Sequence, residues 1–388
     1  MNFAAARGIG IVASRGDRAL PLRAAADAGL LDGVAGLGLD ALRASNLDQI
    51  LAAGRDAWTS LFERLEAVLG DKTTDALLVD SRTLVLLLPF TVADYVDFYS
   101  SIHHATNLGR LLRPGTEPLL PNWRHLPVSY HGRAGTIVVS GTPVRRPRGL
   151  IATDGGVPEY RPSARLDIEL EVGVVVGGHS AIGEPVSIDD VDNHIFGLVL
   201  LNDWSARDIQ AYEYQPLGPH LGKSFATSIS AWVTPLGSLR PFLRPSPIQD
   251  PAPSAHLVTE QPWALDLDLR VLIESATMRE RRIAPLQVSS TNFADLYWTI
   301  AQQLAHMTAN GASVRAGDLY GSGTVSGPER GSEGSFIELS WGGERPLALP
   351  DGTTRTFLEN GDRVILEGEA SAEVRLGPVE GEILPASN

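Results

Sequence analysis

Leu166-Asp167-Ile168-Glu169-Leu170-Glu171-Val172-Gly173-Val174 alternates apolar and acidic residues along most of its length. Successive side chains of an extended chain point to opposite faces. The spacing therefore predicts a β-strand with Ile168, Leu170, Val172 and Val174 on one face and Asp167, Glu169 and Glu171 on the other. Carboxylates side by side on one strand face repel each other. The pattern alone favours a solvent-facing acidic strand. The alternative is a divalent cation held between them, since hard cations such as calcium or magnesium take several oxygen ligands.

Working outward, short β-branched runs at Thr136 to Val139, Ile168 to Val176, Ile195 to Leu201, Leu265 to Ile273, Ser335 to Ser340 and Arg363 to Glu367 all read as strands. The best helical spacing is Thr291 to Thr308, with Phe293, Tyr297, Ile300 and Leu304 on one face. Many strands and few helices at irregular intervals predict a mainly β (α+β) chain, not an alternating βαβ sheet. Residues 1–90 read as a separate small unit. It has a strand over Ile9 to Val12, a turn at Ser14 to Asp17, and helical spacing over Leu39 to Leu69 that puts Trp58, Leu61 and Leu65 on one stripe. A buried strand at Leu84 to Leu88, closed by Pro89, precedes a larger unit over residues 91–388. Pro241 to Pro253 reads as an exposed loop.

The chain has 388 residues, 43% of them hydrophobic and 20% charged, an ordinary globular balance. A net charge of -14 argues against a nucleic-acid partner, which calls for a basic stripe. With no cysteine, thiolate metal sites and disulfides are excluded, so any metal is held by oxygen or imidazole. No apolar run reaches the roughly 18 residues of a membrane span. Arg7 interrupts the start too early for a signal peptide, so a cytoplasmic location is expected.

The densest chemistry lies in Asp97-Phe98-Tyr99-Ser100-Ser101-Ile102-His103-His104-Ala105-Thr106-Asn107, with Arg113 soon after. His104 has the pKa range of a general base, although a lone histidine is more often structural. Such a base needs an orienting carboxylate. Glu338, an acid between apolar residues in a predicted strand, needs a partner of its own. Ile195 to Trp204 delivers Asp203 at the end of a buried strand. Ser205 with Asp208 fits a capping box, opening a helix that puts Arg207, Gln210 and Tyr214 on one face until Pro216 ends it. That stripe suits a negatively charged oxygen and equally suits an exposed polar surface. Gly222-Lys223-Ser224 lacks the upstream glycine of a phosphate loop, because position 217 is Leu217. Lys223 is then a single cation at a turn, with Thr227 four residues on. Tyr320 to Gly327 is a glycine-rich turn, followed by no helix pattern, that could bring Thr324 and backbone N–H groups to a carboxylate.

Taken in order, these segments resemble the fumarylacetoacetate hydrolase family, in its long fumarylacetoacetase branch, from about Asp94 to Leu384. The most specific blocks are Asp97 to Asn107, Leu119 to Thr142 (with Asn122-Trp123-Arg124-His125-Leu126-Pro127 and Tyr130-His131-Gly132-Arg133), Asn202 to Tyr214, Leu217 to Thr227 and Ser322 to Glu329. The resemblance implies a homodimer with a small SH3-like N-terminal barrel and a C-terminal mixed β-roll that carries the active site. It implies that Asp97, Glu169, Glu171 and Asp203 bind Ca2+, and that Asp203, Lys223 and Thr227 belong to a nearby Mg2+ site. Oxygen ligands also admit Mn2+. His104 would activate water and be oriented by Glu338. Arg207, Gln210 and Lys223 would face the oxyanion. Tyr99, Arg113, Tyr130, Gln210, Tyr214 and Thr324 would hold a small β-diketo acid. The implied reaction is hydrolysis of 4-fumarylacetoacetate to fumarate and acetoacetate, the last step of tyrosine and phenylalanine breakdown. A hydrolase of acylpyruvate or another β-diketo acid is the nearest alternative, and a non-catalytic calcium-binding structural protein is a reading from another class. The N-terminal unit matches poorly beyond Val12 to Gly16, Ile102 and His103 replace more polar residues, and Ala370 to Gly381 also differs.

Overall fold

The computed structural model describes residues 1–387. Its centre is an eight-stranded mixed sheet. The spatial order is Ser129–His131, Tyr95–Phe98, Leu319–Gly321, Leu170–Val176, Ile195–Asp203, Thr227–Ile229 and Ile137–Val139, with Thr234–Pro235 beside Ile195–Asp203. Tyr95–Phe98 runs parallel to Leu319–Gly321, and Ile137–Val139 parallel to Thr227–Ile229; the other pairs are antiparallel. Both central strands are buried along their whole length, which explains their near-continuous apolar character.

On one side, Leu170, Val172 and Val174 share a core with Val271, Ile273, Leu366 and Val379. Those residues come from a second, five-stranded sheet ordered Leu286–Asn292, Asp268–Glu274, Arg363–Glu369, Arg375–Leu384 and Val144–Arg145. Two packed sheets with short helices make the chain mainly β in an α+β arrangement.

The opposite side of the central sheet is covered by the first 90 residues. Phe3, Leu20, Leu51 and Trp58 pack with Val175, Phe196, Val199 and Leu319. Trp58 lies on the helix Arg55–Gly70 and meets Phe196 edge-on at 5.3 Å, while its indole N–H donates to the Ile50 carbonyl at 2.7 Å. Gly177 makes this fit possible, because a Cβ there would lie 2.3 Å from the Trp58 ring. The segment forms its own antiparallel sheet, in the order Val79–Asp80, Arg18–Pro21, Gly10–Arg15, Asn2–Ala6 and Leu86–Leu87. Phe3 and Val233 exchange backbone hydrogen bonds of 2.8 and 2.7 Å, joining it to the larger sheets.

Several local expectations are corrected. Ser335 to Ser340 is no strand: Phe336–Leu339 is a single helical turn. The Asp167 carboxylate accepts the N–H groups of Phe336 at 2.7 Å and Ile337 at 3.1 Å, which satisfies donors that a helix start leaves open. The helix expected over Thr291 to Thr308 begins only at Ile300, where Thr299 and Gln302 form a capping box. The residues before it extend as the edge strand Leu286–Asn292, and Asn292 accepts from the Ala294 N–H. The Ser205/Asp208 capping box does not form. Ser205 Oγ donates to the Asp203 carbonyl, and Asp208 accepts from Ser163 Oγ and the Ala164 N–H instead. Leu84 to Leu88 contributes only Leu86–Leu87 at a sheet edge, with Leu87 exposed. Leu265 to Ile273 divides into Ala264–Leu265 and Asp268–Glu274, and Leu39 to Leu69 into three helices.

Candidate active site

The central sheet brings four carboxylates to one place. Asp97 lies in register with Gly321 on one side and Tyr130 on the other. Glu171 lies in Leu170–Val176 with Glu169 just ahead of it, and Asp203 ends its strand opposite Thr227. One oxygen from each of Asp97, Glu169, Glu171 and Asp203 lies within 4.8 Å of the others, and all four residues are buried. The solvent-facing reading of the acidic strand is therefore overturned. Both faces of this sheet are covered, so alternation here separates a core face from an interior polar site, not core from water. Asp167 leaves the set because the chain breaks strand geometry after Leu166–Asp167 and resumes it at Leu170.

The charges are unevenly balanced. Lys223 Nζ contacts Glu169 Oε2 and lies 2.7 Å from Asp203 Oδ2, while Arg207 Nη2 lies 2.8 Å from Glu169 Oε1. Burial pushes the Glu169 carboxyl up, but Lys223 and Arg207 outweigh it and hold the group at about 2. Asp97 and Glu171 go the other way. Burial first, and then the neighbouring carboxylates, push both well above the ordinary range. Asp97 Oδ1 and Glu171 Oε1 are buried without a hydrogen-bond partner. Their companion oxygens are satisfied: Asp97 Oδ2 accepts from Tyr130 Oη at 2.7 Å, and Glu171 Oε2 from the Gly323 N–H at 3.1 Å. Tyr130 Oη also lies 3.0 Å from Asp203 Oδ2, and Thr227 Oγ1 donates to Asp203 Oδ1 at 2.9 Å. Orphaned, mutually repelling oxygens are what a divalent cation relieves, so the residues fit a hard metal ion.

Beside the cluster stands a histidine–carboxylate pair. His104 lies on the helix Ile102–Leu112, capped by Ser101, whose Oγ accepts the His104 N–H at 3.2 Å. Its Nδ1 is 2.6 Å from Glu338 Oε2. That carboxylate also accepts from Ser335 Oγ at 2.7 Å, Ser326 Oγ at 3.0 Å and Asn107 Nδ2 at 3.0 Å. Burial alone would raise Glu338, but His104 and these donors hold it below its usual value. An anionic Glu338 fixes the proton on Nδ1 and leaves Nε2 facing the cluster, 3.9 Å from Glu169 Oε1. Tyr99 packs edge-on against the imidazole at 5.3 Å.

A cavity of about 320 Å³ opens onto both groups. Its wall includes His104, Tyr99, Arg113, Tyr130 and Thr324, together with Arg207, Gln210, Tyr214 and Lys223. Asp97 and Glu169 reach it from the acidic cluster, whereas Asp203 and Thr227 line a smaller recess of about 110 Å³ on the far side of Lys223. Glu171 and Glu338 sit behind the cavity wall. Arg207 donates from Nε to Asp167 Oδ2 at 2.7 Å and from Nη1 to Gln210 Oε1 at 3.1 Å. Thr324 Oγ1 and Arg113 Nε are buried without partners.

Sequence reasoning missed four contributors. Asp167 orients Arg207 instead of joining the acidic cluster. Ser326 and Ser335 hold Glu338; Ser326 lies in the glycine-rich turn that had been singled out, but nothing in its spacing marks it. Gly321 makes room for the cluster, since a Cβ there would lie 2.6 Å from Glu171 Oε2 and 2.9 Å from Asp97 Oδ1.

Residues 95–383 match the family described as Fumarylacetoacetate (FAA) hydrolase C-terminal. A relative from Arabidopsis thaliana named fumarylacetoacetase is 42% identical over 386 residues, covering 96% of this chain and 90% of the relative. The Homo sapiens protein of that name is 43% identical over 360 residues, covering 89% and 85%. The crystal structure of maleylpyruvate hydrolase from Sphingobium.sp SYK-6 matches with a TM-score of 0.51 at 14% identity, covering 100% of both chains. At that identity the likeness is one of fold alone.

Proposed function

Because the chain belongs to the fumarylacetoacetate hydrolase family, we infer that it hydrolyses the carbon–carbon bond of 4-fumarylacetoacetate, giving fumarate and acetoacetate in the breakdown of tyrosine. The observation that carries this reading is the His104–Glu338 pair, whose free Nε2 faces a cluster of four carboxylates, two of which, Asp97 and Glu169, reach the same cavity as His104. A divalent cation, when bound by Asp97, Glu169, Glu171 and Asp203, supplies Lewis-acid polarisation of a 1,3-dicarbonyl and stabilises the enolate that departs.

The chain's own residues do the rest. His104 Nε2 takes a proton from water as the hydroxyl oxygen bonds to the fumaryl ketone carbon, and Glu338 stabilises the imidazolium. Arg207, Gln210 and Lys223 face the oxyanion of that adduct. The carbon–carbon bond then breaks, its electron pair passes to the acetoacetate fragment as an enolate, and the proton held by His104 completes that product. Tyr99, Arg113, Tyr130, Tyr214 and Thr324 position the substrate; the unpartnered donors of Arg113 and Thr324 are open to its oxygens. Burial depresses the Lys223 ammonium, but Asp203 and Glu169 outweigh burial and raise it. It stays protonated, so any part it has in a second, Mg2+ site falls to its carbonyl oxygen. The reading includes Ca2+ as the main ion, a cytoplasmic homodimer, and a boundary near residue 90 between the N-terminal unit and the catalytic one. No helix is long and apolar enough to cross a membrane among the described residues.

The test is an absorbance assay for loss of the conjugated diketone, with and without chelator, and with fumarate and acetoacetate identified as products. Turnover of acetylpyruvate with none of fumarylacetoacetate would assign the substrate wrongly.

A further inference from the structure

A second, larger recess of about 740 Å³ adjoins the catalytic cavity. The helix Ile102–Leu112 is the wall between them. His104, Leu108 and Leu112, four residues apart, face the inner cavity, while Thr106 and Arg110 face the outer one. Arg113, just past the helix end, lines both.

The outer recess is basic. Arg110, Arg113, Arg124 and His125 line it against a single acid, Glu117. Among the described residues neither Arg110, Arg113 nor Arg124 enters an ion pair with a carboxylate. Arg124 donates to the Asp250 carbonyl at 3.1 Å and lies over the Tyr297 ring at 5.9 Å, contacts that fix its position and leave its charge uncompensated. Arg113 follows Arg110 just past the helix end, so two guanidinium groups of like charge meet at the same recess. The helix dipole favours Arg110 in the last turn, and Arg113 donates to the Pro118 carbonyl at 2.8 Å, but neither accounts for Arg124 joining them, and in a chain of net charge -14 the grouping is a local reversal of sign.

The proposed substrate supplies a reason. Fumarate and acetoacetate carry three carboxylates between them, one of them made by hydrolysis, so fumarylacetoacetate is a dianion. The protein as a whole repels it. We propose that the outer recess is the entry vestibule for this dianion, with Arg110 and Arg124 as positioning residues that concentrate it ahead of Arg113. A charged cleft acts in this way by raising local substrate concentration and association rate, an effect that salt screens. The proposal rests on the hydrolase reading above and adds to it the path by which the substrate arrives.

The experiment uses the full chain loaded with metal. Turnover of fumarylacetoacetate is followed from about 0.02 M to about 0.3 M ionic strength in the wild type, in Arg110→Gln, Arg124→Gln and their double variant, and in Arg110→Lys. Expected are a wild-type kcat/KM that falls as salt rises, and a double variant about three- to tenfold lower in kcat/KM at low salt with a flattened salt slope. Its kcat is expected to stay within about twofold, and Arg110→Lys to keep the wild-type slope, which a merely structural role would not produce. Thermal melts check that each variant is folded. A double variant with the wild-type salt slope and kcat/KM would overturn the vestibule while leaving the hydrolase reading intact. A wild type without turnover would overturn that reading, and the vestibule with it.

Discussion

Gly321→Ala tests the acidic cluster without removing any charged group. The new methyl carbon would sit 2.6 Å from Glu171 Oε2, 2.9 Å from Asp97 Oδ1 and 3.1 Å from Tyr95 Oη. Relaxing to an ordinary contact of about 3.4 Å moves the Glu171 oxygen by about 0.8 Å and the Asp97 oxygen by about 0.5 Å. These are side-chain ends, so the fold adapts at a cost of about 1 kcal/mol. A metal site is less forgiving, because ligand distances hold to within about 0.2 Å. Two of four ligands displaced by more than that predicts affinity for Ca2+ or Mn2+ weakened about 100-fold, roughly 2.7 kcal/mol, with turnover lost at limiting metal and partly restored at high metal. Calorimetric titration of stripped protein measures the affinity, a steady-state assay at low and high metal the turnover, and a thermal melt the cost to the fold. A Gly321→Ala protein with wild-type affinity and turnover would refute the placement of the ion between Asp97 and Glu171.

Glu338→Gln should lower kcat by about 10²- to 10⁴-fold while metal binding persists, since the amide no longer fixes the His104 tautomer; steady-state kinetics beside a metal titration would read both. Asp167→Asn should cost about 3–5 kcal/mol in urea unfolding, because Arg207 and the N–H groups of Phe336 and Ile337 lose a buried anion. An unchanged midpoint would show that Asp167 does not orient Arg207. Burial lowers the pKa of both His194 and His306, and for His306 the neighbouring His256 lowers it further. The unfolded chain therefore binds more protons than the folded one below about pH 6.5. This contribution to stability is complete above that pH and is lost as pH falls toward the folded values. His194→Gln/His306→Gln should flatten the drop in urea stability between about pH 7 and about pH 5, and an unchanged slope would assign the drop elsewhere.

The mainly β character was legible because Ile195–Asp203 and Leu170–Val176 are short β-branched, apolar runs and Arg363–Glu369 alternates buried with more exposed positions. What alternation could not reveal was the second covering layer. A strand reads as half exposed when its polar face is taken to meet water, and only the enclosure of Glu169 and Glu171 by Asp97, His104, Arg207, Lys223 and the Gly323 N–H shows why they are interior. Long-range capture also escaped local reading. Phe336–Leu339 turns helical because Asp167, distant in sequence, takes its first N–H groups, and no pattern within Ser335 to Ser340 encodes that. The resemblance to the family, not local spacing, named most of the polar residues that line the catalytic cavity. The geometry added the partner of each: Asp167 for Arg207, Ser326 and Ser335 for Glu338, and Gly321 for the carboxylates.

The central claim is that Asp97, Glu169, Glu171 and Asp203 together hold the ion on which hydrolysis depends. Metal-stripped wild type and Asp97→Asn/Glu171→Gln should be titrated with Ca2+ while fumarylacetoacetate consumption is followed in the same samples. The account predicts one tight site per chain and activity that rises with its filling in the wild type, and neither in the double variant. Equal binding and turnover in the two proteins would contradict it.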